Sequence, residues 1–231
     1  MKVLFVGNSH TYFNDMAALF KKMAENLGSE NTEVTMLAYS GRTLKWHTEE
    51  YFSLRFALLY GNYDYCVIQQ YAHPFPGVEE TEEYMNAIID MVRKCNTEPV
   101  IFMTWAARDQ KENRAIMSNT YRRLAQKHDC RLAPVGEVFA DIQDNHEDID
   151  LYWKDGEHAS VYGDYAIAYL MAVLLIGNRE GSLVDNTAID FRIAFDEEKH
   201  QVSCEMDRER LWINLDEEKT EIIKKEVLKR L

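Results

Sequence analysis

A serine on a tight turn directly after an apolar run can be held exposed, with the helix that follows aiming its first N–H groups at the same space. Ser9 has that setting, because Val3 to Val6 is apolar and Gly7-Asn8-Ser9-His10-Thr11 follows. Such a serine attacks a carbonyl only if a base takes its proton and a third group orients the base. Asp155-Gly156-Glu157-His158 offers both partners. A three-residue spacing across a turn into a helix lets the Asp155 carboxylate accept the Nδ1–H of His158, which leaves Nε2 for the serine proton. The chemistry these three residues would support is nucleophilic acyl transfer. Each has a plainer use as well: Ser9 as a turn or cap residue, and Asp155 or Ser160 as the cap of a helix from Ala159.

Acyl transfer also needs N–H donors aimed at the negative charge that develops on the carbonyl oxygen. The backbone N–H groups of Ser9 and Gly41 are candidates, glycine allowing close approach. The side-chain amide of Gln69 is a third. Strand alternation puts Gln69 and Gln70 on opposite faces, and Gln69, which follows the apolar run directly, is the favoured donor. Other side chains near these loops are candidate substrate contacts: His10 beside the serine, His47 beside Trp46, Gln70, His73 in a proline-rich loop, and Trp105, which with Arg108 would form an aromatic and cationic lip. For each of them packing is the competing use. A metal site built from the dispersed His10, His47, His73 and His158 has no HxH or HExxH spacing behind it, so no metal and no organic cofactor is expected.

The elements that must position these residues alternate in type. Strands are predicted over Lys2 to Val6, Glu33 to Ala38, Asp64 to Gln69, Pro99 to Thr104 and Arg131 to Pro134. Helices are predicted over Met16 to Leu27, His47 to Tyr60, Glu79 to Cys95, Glu112 to His128 and Ala159 to Ile176. Strands separated by single helices imply parallel strands with right-handed crossovers and helices on both faces. The expected fold is a three-layer α/β/α unit with a parallel five-stranded sheet in flavodoxin-like order 2-1-3-4-5. That order sets the first and third strands side by side and brings Ser9 and Gln69 together at the carboxyl edge.

The order of the pieces is more specific than any one of them. GNS after the first strand, a glycine after the second, an amide at the end of the third and DxxH before the last helix together resemble the SGNH (GDSL-like) hydrolase superfamily, over roughly residues 2 to 177. The resemblance implies Ser9 as nucleophile, Gly41 and Gln69 as oxyanion donors, and Asp155 and His158 as the rest of a triad. The chain departs from the family in two places: Asn8 stands where the name-giving motif has aspartate, and Val67-Ile68-Gln69-Gln70 stands where GxND is usual. A glutamine here is similar to the branch that includes carbohydrate acetylesterases, and Gly41-Arg42-Thr43-Leu44-Lys45-Trp46-His47 with Met103-Thr104-Trp105 looks like a bacterial branch. The function implied is a serine esterase acting on a short acyl ester, acetyl for example, on a carbohydrate. A lipid or thioester substrate, or a binding module without turnover, is the alternative. A nucleotide-binding reading lacks both GxGxxG and GxxxxGK[ST].

Composition limits the partners. The 231 residues carry 26 Lys and Arg against 39 Asp and Glu, a formal charge of −13. That balance argues against nucleic-acid binding and against anchoring to an anionic membrane. The apolar run Ala166 to Ile176 is too short to cross a bilayer. Four cysteines without a CxxC pair, and no secretory leader pattern ahead of the first strand, suggest a cytoplasmic protein with reduced thiols. Residues 1–180 are read as the catalytic domain. Residues 181–231 are read as an extension packed on it, with a hairpin from Phe191 to Phe195 and Gln201 to Met206, a strand from Leu211 to Leu215, and a last helix capped by Asp216. A homo-oligomer contact through this extension is the sharper alternative.

Overall fold

Five short apolar runs become one parallel sheet: β1 (Lys2–Gly7), β2 (Glu33–Ala38), β3 (Tyr65–Gln69), β4 (Glu98–Phe102) and β5 (Arg131–Ala133). The computed structural model describes residues 1–178 and 215–231, and between them only the strand positions 189–190, 194–196, 201–203 and 212–213. The strand order is β2-β1-β3-β4-β5 and every neighbouring pair is parallel. This is the expected flavodoxin-like order, with its switch point between β1 and β3, where ligands of such sheets bind.

Both faces of the sheet are covered, which is why its central strands read as nearly continuous apolar runs. Along β1, Val3 and Phe5 point into one core and Leu4 and Val6 into the other. The first core is closed by α2 (Met16–Asn26), α7 (Val135–Asn145) and α8 (Val161–Ile176). The second is closed by α3 (Leu44–Glu50), α4 (Phe52–Gly61), α5 (Val78–Lys94) and α6 (Asn113–His128). One further turn of helix, α1 (Ser9–Tyr12), follows β1 directly. Helix α8 is buried along nearly its whole length. The Ser160 hydroxyl accepts from the Gly163 N–H at its start, and Gly177 stops it at φ +77°.

Two expectations about the helices are corrected. The single helix predicted over His47 to Tyr60 is two helices, α3 and α4, broken at Tyr51 with φ +63°. No glycine or proline marks that break. Helix α7 was not predicted, although Val135, Val138, Phe139 and Ile142 follow the helical period and all are buried.

Within the extension, β7 (Ala194–Asp196) and β8 (Gln201–Ser203) pair antiparallel, following β6 (Ile189–Asp190), which pairs with β9 (Trp212–Ile213). Parts of the predicted hairpin and strand are thus strands; Leu215 is described and lies outside any strand, and the other residues of both predictions lie outside the described ones. Helix α9 (Glu217–Arg230) is capped by Asp216, whose side chain accepts the Lys219 N–H at 3.1 Å. It buries Ile223 and Val227 in the α7–α8 core, and Arg230 forms a two-pronged pair with Asp141 of α7.

Candidate active site

The loop after β1 is tied down on three sides by one residue. The Asn8 N–H donates to Gln69 Oε1 at 2.8 Å, its side-chain amide donates to the Arg42 carbonyl at 3.0 Å, and its Oδ1 caps α1 by accepting the His10 N–H at 3.0 Å. The loops after β1, β2 and β3 thereby share one anchor, and Ser9 is the next residue. Gly7 is needed for this approach, since a Cβ there would stand 2.3 Å from Gln69 Oε1 and 2.5 Å from Thr11 Oγ1. Asparagine in place of the motif's aspartate keeps both an acceptor and a donor at this position, and the structure uses both.

Opposite Ser9 lies the turn that precedes α8. It is closed by the Trp153 N–H on the His158 carbonyl at 2.7 Å and by Gly156 at φ +74°. Asp155 Oδ1 accepts the N–H groups of Glu157 and His158, both at 2.9 Å, and Oδ2 accepts the His158 ring at Nδ1, at 2.7 Å. Nε2 of the same ring is 2.8 Å from Ser9 Oγ. With Nδ1–H given to a carboxylate, Nε2 carries the lone pair, so the Ser9 hydroxyl donates to it. Burial alone would raise the Asp155 carboxyl. The hydrogen bonds from the His158 ring and the two backbone N–H groups outweigh burial and hold it well below the usual carboxylate range. Asp155 is therefore ionised at neutral pH.

The His158 ring is clamped between two others. Phe13 stacks on one face at 4.6 Å and His10 on the other at 4.9 Å. The His73 ring packs tilted against His10, with 4.8 Å between centroids. Burial holds His10 well below the ordinary histidine value and brings His73 down to about 4. Both are neutral at neutral pH, so neither opposes a positive charge forming on His158.

A cleft of ≈ 330 Å³ opens over Ser9 and His158. Its walls are Tyr12, Phe13, Tyr71 and Trp153, and Gly41, His73, Lys154 and Glu157 also line it. Nothing in the local sequence marks the aromatic walls, which come from three separate loops and converge only in the fold. Of the expected site residues, Ser9, Asp155, His158, Gly41 and His73 meet at this cleft. Gly41 holds φ +66°, and the N–H groups of Ser9 and Gly41 make no hydrogen bond among the described residues.

Five other expected positions are corrected. Gln69 is buried and its amide is committed: Oε1 accepts from Asn8 and from Thr11 Oγ1 at 2.9 Å, and Nε2 donates to the Gln70 carbonyl at 2.5 Å. It braces the Ser9 loop and does not line the cleft. Gln70 is also buried away from the cleft lining; its Oε1 accepts the N–H groups of Leu44 and Tyr71, and its Nε2 has no partner among the described residues. His47 donates from Nε2 to the Gly7 carbonyl at 2.8 Å, so it holds β1 to α3 and makes no cleft wall. His10 backs His158 and is 3% exposed. Trp105 forms no lip. Its indole stacks on Phe139 at 4.3 Å, and its N–H donates to the Glu157 carbonyl at 2.8 Å, supporting the Asp155–His158 turn from beneath. Arg108, its supposed companion, pairs with Asp150 instead. Among the described residues, no group of three or more His, Cys, Asp or Glu side chains is placed to hold a metal ion. No helix among them is long and apolar enough to cross a membrane.

No family model and no curated protein matches the chain. Solved structures do. A Slackia heliotrinireducens protein assigned as an SGNH hydrolase is 25% identical, with a TM-score of 0.61, and the match covers 77% of this chain and 98% of that one. The lipase/acylhydrolase from Enterococcus faecalis is 16% identical with a TM-score of 0.60, covering 76% and 93%. The acetyl xylan esterase AlAXEase is 18% identical with a TM-score of 0.58, covering 77% and 98%. With its strand order, its loop after β1 and its DxxH turn already in view, these likenesses show that the chain has the fold of SGNH (GDSL-like) hydrolases.

Proposed function

We propose that the protein is a serine esterase that removes a small acyl group, such as acetyl, from a carbohydrate through a Ser9–His158–Asp155 triad. The observation that carries this reading is the unbroken chain of hydrogen bonds from Asp155 Oδ2 through His158 to Ser9 Oγ, ending at an aromatic cleft. His158 Nε2 takes the Ser9 proton as Oγ attacks the ester carbonyl carbon and the carbonyl electron pair moves onto oxygen. The N–H groups of Ser9 and Gly41 hold that oxyanion. Collapse expels the alcohol oxygen, which His158 protonates, and leaves an acyl-Ser9. His158 then takes a proton from water, the hydroxide adds, and the carboxylic acid leaves as Ser9 recovers its proton. An ester and one water give an acid and one alcohol.

The cleft volume lies at the low end for small-molecule sites, which run from about 300 to 1,000 Å³. It suits a short acyl group and a single ring better than a long lipid chain. Aromatic walls favour a sugar ring, whose C–H faces pack on them, and the acetyl xylan esterase among the structural neighbours points the same way. Gln69 and Gln70 both lie off the cleft, so the oxyanion donors of this reading are the Ser9 and Gly41 N–H groups alone. Gln69→Ala removes a buried acceptor shared by two donors and is expected to cost about 1–3 kcal/mol of stability, read from a thermal or denaturant melt.

A fluorophosphonate tests the function directly, because only an activated serine reacts with it. Peptide mass spectrometry is expected to find the added mass on Ser9 in the folded protein and to find none in His158→Ala. Absence of label on folded wild-type protein favours a binding module without turnover.

A further inference from the structure

Helix α4 turns an aromatic face outward. Leu54 and Leu58 are buried in the core on one side of it, and Phe52, Phe56, Leu59 and Tyr60 stand on the opposite side, 61%, 43%, 45% and 75% exposed. The spacing 52, 56, 59, 60 places all four within about 100° of one another around the helix axis. Phe52 stacks on Phe56 and Phe56 on Tyr60, both at 6.1 Å between centroids. The four make one continuous ridge, whereas singly scattered surface apolar residues would need no explanation. Along α4 the only charged side chain is Arg55, in a chain of net charge −13.

Beside the ridge runs a groove of ≈ 340 Å³ between α4 and α5, whose walls include Leu59, Ala87, Met91 and Cys95. Arg55 and Lys94 on its rim face Asp90, so the groove carries both signs of charge. A ridge next to a groove on one surface is self-complementary: a two-fold axis lays the ridge of one copy in the groove of the other. We propose that this face is the interface of a homodimer.

Area and charge favour that occupant. The exposed parts of the ridge and of Tyr51 amount to roughly 400–500 Å² of side-chain surface per copy. Buried on both partners, with the groove walls added, the total reaches the ~1,000 Å² that a specific interface needs. A membrane-lying helix would flank its apolar face with Lys and Arg; α4 has one Arg, and the first turn of the neighbouring α5 carries Glu79 and Glu80.

Sedimentation equilibrium of the full chain tests the proposal. The wild type is expected to be a dimer, and Phe56→Glu and Tyr60→Glu are expected to raise the dimer dissociation constant about 100-fold or more. Because both side chains are exposed, each variant should keep the wild-type circular dichroism, melting temperature and esterase rate. A wild type that stays monomeric up to about 100 μM overturns the interface. So does a dimer that both glutamates leave intact, which would place the contact elsewhere, or a monomer that co-sediments with phosphatidylcholine vesicles, which would make the ridge a lipid face.

Discussion

Replacing Ser9 with alanine is expected to lower the rate of ester hydrolysis by about 10⁴- to 10⁶-fold and to leave the fold intact. The size of the loss follows from what the hydroxyl does. Without it no acyl-enzyme forms, and what is left is binding plus the oxyanion donors, whose backbone N–H groups the substitution keeps. The stability cost is small because the Ser9 side chain holds nothing else together. Asn8 caps α1, Asn8 and Gln69 fix the loop, and among the described residues Ser9 Oγ bonds only to His158. A net loss of about 0.5–1.5 kcal/mol is the ordinary worth of such a bond. Hydrolysis of a chromogenic acetyl ester, with circular dichroism as the control, measures both. Activity within tenfold of wild type in a folded Ser9→Ala protein would remove Ser9 as the nucleophile.

His10 and His73 stand apart from the proposed triad. Both rings sit within 5 Å of a neighbouring imidazole in the stack, and both are held neutral by burial. His10 is not placed to act as base toward Ser9: its Nε2 is buried with no partner among the described residues, and its Nδ1 faces Asn8 Oδ1 at 3.2 Å. Their contribution is shape and low charge behind the ring that reacts.

The parts of this site that could be read in the sequence are those set by local spacing. Gly7-Asn8-Ser9 follows a buried strand, and Asp155 reaches His158 across one turn, so the geometry of each half is fixed within a few residues. That the halves meet depends on topology, and the alternation of strands and helices was enough for the order β2-β1-β3-β4-β5. The misreadings have a shared cause. Gln69 and Gln70 both stand at the end of β3, and alternation separates them without saying which side is committed to the loop after β1. Trp105, His10 and His47 have the composition of cleft walls, but each is turned by a hydrogen-bond partner, Glu157, Asn8 or Gly7, that lies far away in sequence or across a turn. Conversely Tyr12, Phe13, Tyr71 and Trp153 look like ordinary packing aromatics until three loops bring them together. The break at Tyr51 had no glycine or proline to announce it, whereas α7 had a clear helical period and was recognisable in principle.

Asp155→Asn should cost about 10⁴-fold in kcat, nearly as much as losing the nucleophile, although it changes one atom. Asp155 holds two different kinds of partner. Oδ1 accepts two backbone N–H groups, so in the asparagine variant the carbonyl oxygen stays there and keeps the turn folded. The NH₂ group is then forced onto the side that faces His158 Nδ1. A donor there needs an acceptor, so the imidazole must carry its proton on Nε2 and point it at Ser9 Oγ. In that tautomer the ring cannot take the serine proton. The loss should therefore appear in kcat with KM nearly unchanged, and raising the pH within the neutral range should not restore it, since the fault is the tautomer and not the charge of the ring. Stability should respond in the opposite pH sense to a histidine effect. Because the folded Asp155 carboxyl is held below its unfolded value of about 3.9, its contribution is present at neutral pH and is lost as pH falls from about 4 toward the folded value. The difference in melting temperature between wild type and Asp155→Asn should then shrink in acid. A variant that keeps wild-type kcat would show that His158 is oriented by its clamp between Phe13 and His10 alone, and Asp155 would leave the triad.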